Sequence, residues 1–280
     1  MTTTNETPDE STPDTPMLFL RWVRQMPRAF AYPLRLRGVG FMLTGGIVWG
    51  LADALPWPLS MISLTAAWIF IGFLYAYLFN IIQTSAAGDD KLPPIPIGAD
   101  FVDEAVVPLL YVIGTLVVSY LPLLVILCLR ERVDFLLVLL ALVSAPYMFT
   151  FGSPDVYLAV LGTVYLPMGL LALAVHRDIK AISPHVVVPA VVRTFLPYAC
   201  VALLFLGVTA LHNHIMAELT SSFWGGGGDS SVPWLFDHID RATLQFLLKP
   251  CLLYAYVVLA RALGTIHWVY RRRLGWLERV

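Results

Sequence analysis

Apolar runs long enough to cross a bilayer constrain this chain more than any other feature. Residues 59–83, 101–129, 156–175, 189–211 and 242–268 each stay apolar over close to the roughly 20 residues a membrane-spanning helix needs. A β-barrel strand would need only about ten residues of alternating polarity, and these runs do not alternate. Residues 38–55, GVGFMLTGGIVWGLADAL, add a further run. Its Gly38, Gly40, Gly45, Gly46 and Gly50 permit close approach by a neighbouring backbone. The chain is 58% hydrophobic and 13% charged, far from the average soluble domain. The fold class expected is therefore an all-α polytopic transmembrane helical bundle.

The flanks differ in character. Residues 1–16 hold Glu6, Asp9, Glu10 and Asp14 without a basic residue, and read as a disordered acidic tail. They lack the basic start and apolar core of a signal peptide. Residues 17–37 interleave Arg21, Arg24, Arg28, Arg35 and Arg37 with aromatic and aliphatic residues. Arg21, Arg24 and Arg28 share a helical face, with Phe19, Leu20 and Trp22 available to the headgroup boundary, so a basic interfacial helix is expected. Pro33 then turns the chain into the bilayer. The bundle is expected over 38–270 and a basic cytoplasmic tail over 271–280.

Seven runs can be counted if residues 134–151 cross the membrane. Seven would put the two arginine-rich ends on opposite sides, whereas short basic segments stay cytoplasmic. Taking 134–151, the shortest run, as re-entrant or interfacial leaves six spans with both termini cytoplasmic. The Gly-rich loop at 225–228 is then expected outside.

Three long stretches recur as a set: YLFNIIQTSAAGDDKLPPIPIGADFVDE, YLPMGLLALAVHRDIKAISPHVVVPAVVRTFLPY, and ARALGTIHWVYRRRLGW. Together they resemble an uncharacterised bacterial family of multi-pass membrane proteins, a domain of unknown function. That family has a Gly-acid-Pro loop after an early span and a Leu-Gly…Arg-Leu-Gly-Trp tail. The likeness covers residues 38–280. Where relatives have Asn-Pro, this chain has Ser183-Pro184, and 134–154 is additional length. The resemblance implies a multi-pass topology, with a bacterial cytoplasmic (inner) membrane as the expected location, and no particular activity.

Few residues carry chemistry. In GDDKLPPIPIGADFVDE, Asp89 and Asp90 are expected in a solvated turn, with Pro93, Pro94 and Pro96 holding an extended path. Asp100 is expected to cap the next helix, with Asp103 and Glu104 in its first turn. The loop re-inserts the chain, and its acids could also dock a membrane-protein or cytoplasmic partner. Lys249 lies inside the last span, where an ionisable residue is a functional-site hypothesis by default. The competing reading is that its stem lifts the ammonium to the outer surface. Arg193 and Arg261, nearer the inner face, are expected to snorkel.

His212, His214 and His238 are weak metal candidates: imidazoles suit zinc, but His-x-His on a helix points to different faces. No catalytic or cofactor-binding residues are assigned and no metal site is expected. Cys128, Cys200 and Cys251 stand alone in apolar runs and read as small packing residues. A net charge of −1 gives no reason to expect nucleic acid. The lipid bilayer is the one partner implied throughout. The leading expectation is a non-enzymatic accessory, assembly or scaffold component. The alternative is a small-solute or ion permease using Lys249 and Pro-kinked helices.

Overall fold

The computed structural model describes residues 15–54, 60–95, 100–131, 155–224 and 241–276. Several sequence expectations lie outside them: most of the acidic tail, the turn at 56–58, the segment 134–151, the Gly-rich loop and His238.

Among the described residues there are eight α-helices and no strand. Helix α1 covers Thr15–Ala31 and a 3₁₀ turn, Tyr32–Leu34, joins it to α2, Leu36–Ala54. Helix α3 is Ser60–Ala86 and α4 is Val107–Glu131, preceded by a π-helical turn, Val102–Val106. Then come α5, Asp155–His176, a 3₁₀ turn, Ile179–Ile182, and α6, Pro184–Arg193. Helices α7, Phe195–Trp224, and α8, Arg241–Leu274, complete the chain. Five segments within these are long and apolar enough to cross a membrane: Trp68–Ala86, Val102–Arg130, Tyr157–His176, Phe195–His212 and Leu247–Leu274.

Three boundaries differ from the sequence reading. The run at 189–211 is divided at Thr194, whose φ of −116° and ψ of 25° interrupt the helix. Its hydroxyl donates to the Ala190 carbonyl at 2.8 Å, closing α6. The polar stretch after Leu211, expected as loop, continues α7 to Trp224. Extending an existing helix needs only one bond per residue, and Met216, Ala217 and Glu218 favour it. Arg271, Arg272 and Arg273 belong to the last turn of α8 rather than to a separate tail. Cations at a helix C-terminus are favourable, and Gly275 at φ +65° follows as the stop.

Helix α8 is the centre of the bundle, packed on α1, α2, α3 and α7, while α4 lies along α5. Lipid supplies no hydrophobic drive between helices, so close approach and interlocked shape must hold the pairs together. The glycines show where this happens. A Cβ on Gly46 would meet Pro250 Cγ at 2.5 Å, and one on Gly45 would meet Leu253 Cδ1 at 3.0 Å, so α2 lies flush on α8. Gly40, in the same helix, has nothing within 4 Å. The thin helix read from sequence is thus thin toward α8 at only part of its glycines.

Helices α3, α5 and α8 end on one side. Arg177 Nη2, just past α5, donates to Gln83 Oε1 near the end of α3 at 2.8 Å. The His176 ring meets the edge of Trp276 at 5.2 Å. Arg193 Nη1 donates to the carbonyls of Arg273 and Leu274 at 3.3 and 3.1 Å. Arg193 is exposed and caps the C-terminus of α8.

Candidate functional site

The acidic loop after α3 meets α1 and α8 at this same end. Helix α3 stops because Gly88 takes a left-handed φ of +84°. Asp89 N–H donates to the Thr84 carbonyl at 2.9 Å and Gly88 N–H to that of Ser85 at 3.0 Å. This paired pattern is a Schellman stop, and glycine takes the left-handed position without steric cost. The indole of Trp268 also occupies the space a side chain would need: a Cβ there would sit 2.5 Å from its Nε1. The Asp89 carboxylate then accepts the Lys91 N–H at 2.9 Å, tightening the turn.

Arg261 of α8 is the anchor. It is 7% exposed and donates to Ser85 Oγ at 2.9 Å and to the Asp89 carbonyl at 2.5 Å. Its other terminal nitrogen forms an ion pair with the Asp90 carboxylate. The guanidinium also lies 4.8 Å from the centre of the Tyr32 ring, within cation–π range. Tyr32 donates its hydroxyl to the Lys91 carbonyl at 3.1 Å, and Arg35 donates to the Asp90 carbonyl. Burial pushes the Tyr32 phenol above its usual range, with Arg261 opposing the shift. Tyr32 therefore remains a neutral donor at physiological pH. One buried cation binds the turn after α1, the end of α3 and the loop into a single unit.

Asp90 is thus the partner of Arg261, and not an acid facing only solvent. Arg261, expected to snorkel, is buried because Ser85, Asp89 and Asp90 satisfy its donors. Pro93 is buried and Leu92 packs on the core, while Ile95 is exposed. Asp100 is exposed. Its backbone carbonyl accepts the Glu104 N–H at 2.8 Å, and a π-helical turn replaces the expected capping box.

Helix α1 is amphipathic in a different sense from the expectation. Trp22, Leu18 and Ala29 are buried in the bundle, and Trp22 Nε1 donates to the Ala262 carbonyl at 3.5 Å. Leu20, Val23 and Phe30 remain exposed. Arg21 lies over the Trp268 ring at 4.8 Å.

Lys249 is 4% exposed and its ammonium lies 4.3 Å from the centre of the Trp49 ring. It does not reach the molecular surface as the snorkelling reading expected. The Gly46–Pro250 contact brings α2 close enough for Trp49 to receive it. His212 is half-buried and His214 exposed, both within the continuous α7. Among the described residues no three His, Cys, Asp or Glu side chains gather where they could hold a metal. Cys200 and Cys251 are exposed on their helices rather than packed inside.

Sequence reading found Asp89 and Asp90 but missed that Arg261 is their partner, and missed Tyr32 and Ser85, which complete the clamp through the Lys91 carbonyl and the guanidinium. The available signal was Arg261 itself: a cation inside an apolar run needs a partner. Compared with protein-family models, curated proteins and solved structures, the chain gives no match.

Proposed function

We propose that this chain is an integral protein of a bacterial cytoplasmic membrane that serves as a non-enzymatic accessory, assembly or scaffold component. In this reading α2, 19 residues long, joins the five longer segments as a sixth span. Both termini then lie on the cytoplasmic side. The placement is supported by the basic residues at one end of the bundle: Arg28, Arg35, Arg177, Lys180, Arg193 and Arg271. Such residues are retained in cytoplasmic segments.

The observation that carries the functional reading is the clamp on the loop. A polar loop held by Arg261, Tyr32 and Arg35 offers a partner one conformation. A preformed surface loses less entropy on binding than a mobile one. Beyond the clamp, Asp100, Asp103 and Phe101 are exposed, a mixed acidic and apolar surface on the way into α4.

Topology is the first test. In whole cells, an impermeant thiol reagent should label a cysteine probe at Ser230 and spare probes at Asp89 and Arg272. Labelling at Arg272 from outside would establish an odd number of spans. Function is tested by flux. Proteoliposomes should be no more permeable to protons, alkali cations, chloride or small organic solutes than empty vesicles. Photo-crosslinkers at Asp100 and Asp103 should yield a discrete protein adduct in cells. Flux abolished by Lys249→Met would overturn the scaffold reading in favour of a permease.

A further inference from the structure

Between α1, α8 and the end of α3 lies a cavity of about 60 Å³, lined by Gln25, Arg28, Ser85, Asp90, Arg261 and Trp268 among others. One water needs only ~10–15 Å³ on this scale, so the space is large enough for several waters or one small anion. Two guanidiniums border it against a single carboxylate, and that carboxylate is already held by Arg261. Arg28 Nη1 is steadied by Gln25 Oε1 at 3.3 Å. Arg21, on the Trp268 ring, adds a third positive charge nearby. The lining therefore has a surplus of positive charge, presented by planar forks that match phosphate oxygens.

We propose that this cavity is a phosphate-binding site. It takes a phosphate group carried by a phospholipid headgroup or supplied as inorganic phosphate. Arg28 provides the main charge-assisted donor, because Arg261 is occupied by Ser85, Asp89 and Asp90. Basic pockets between helices on the cytoplasmic side are suited to lipid headgroups. Helix α1 also exposes Leu20, Val23 and Phe30, apolar surface available to acyl chains.

The test uses the full chain in maltoside micelles, which contain no phosphate. Thermal unfolding is followed with added inorganic phosphate, phosphatidylglycerol, or diacylglycerol as a phosphate-free chain control. A ligand that binds only the folded state raises the midpoint. Phosphate or phosphatidylglycerol should raise it, and diacylglycerol should not. A rise with phosphatidylglycerol alone assigns the headgroup, and an equal rise with phosphate assigns the free ion. Arg28→Gln should weaken the apparent affinity about tenfold or more, as expected for losing one charge-assisted bond. Its midpoint without ligand should match the parent, since Arg28 is exposed. Arg24→Gln, at an exposed position of the same helix but outside the cavity lining, should retain the full shift. Equal losses in both variants would reduce the effect to surface charge and overturn the site. So would a shift with diacylglycerol, or no shift with either phosphate source.

Discussion

Asp90→Ala is expected to destabilise the protein more than Arg261→Met, although the two remove opposite halves of one ion pair. The asymmetry follows from burial: the Arg261 side chain is 8% exposed and that of Asp90 is 54% exposed. Removing Asp90 leaves a buried guanidinium without its counter-charge, a defect that costs roughly 3 kcal/mol when a buried pair is broken. Ser85, the Asp89 carbonyl and the Tyr32 ring remain to moderate it. Removing Arg261 leaves a carboxylate that water can reach. The loss is then limited to exchanged hydrogen bonds, about 1 kcal/mol. The double variant should resemble Arg261→Met alone, because the orphaned cation is gone. Unfolding by sodium dodecyl sulfate titration in mixed micelles would order the three. Equal and additive single losses would show that the pair contributes little beyond its separate contacts.

Gly264→Ala should be strongly destabilising. A Cβ at Gly264 would meet the Ile82 carbonyl oxygen at 2.5 Å and would also collide with the Ser85 Cβ. Neither atom lies at the end of a flexible side chain. Helix α3 must therefore move away from α8, carrying Ser85 off Arg261. Overpacking of this kind costs about 3 kcal/mol. Gly40→Ala is the control, since nothing lies within 4 Å of a Cβ there. It should stabilise α2 by up to about 1 kcal/mol through helix propensity. Gel filtration and thermal unfolding in detergent would separate the two outcomes. Comparable midpoints for both variants would mean that α3 and α8 are not locked at Gly264.

Much of the architecture was legible because it depends on local properties. An apolar run of a given length forms a helix in lipid whatever its neighbours, since every backbone group must be satisfied within the segment. The helical class and the five long segments follow from that, as do the turn at Pro33 and the break after Gly88. Helix ends were less legible. Polar residues such as His212 and Glu218, and the arginines 271–273, look like loop or tail in composition. Helix propagation carries them onward until a residue such as Gly275 stops it.

The site required the tertiary structure. Sequence marked Asp90 as an acid in a solvated loop and Arg261 as a cation near a membrane face, separated in the chain by some 170 residues. Nothing local joins them. They meet because Gly264 lets α3 approach α8 closely enough for Ser85 and the loop to reach the guanidinium. Lys249 shows the same division. Its position within an apolar run was evident from sequence, but its partner was not. Trp49 lies two hundred residues earlier in the chain and meets the ammonium because Gly46 lets α2 rest on Pro250. Sequence by itself determined which segments are helical, because backbone satisfaction is a local demand. The tertiary structure decided which buried charges are paired, because pairing depends on how closely separate helices approach.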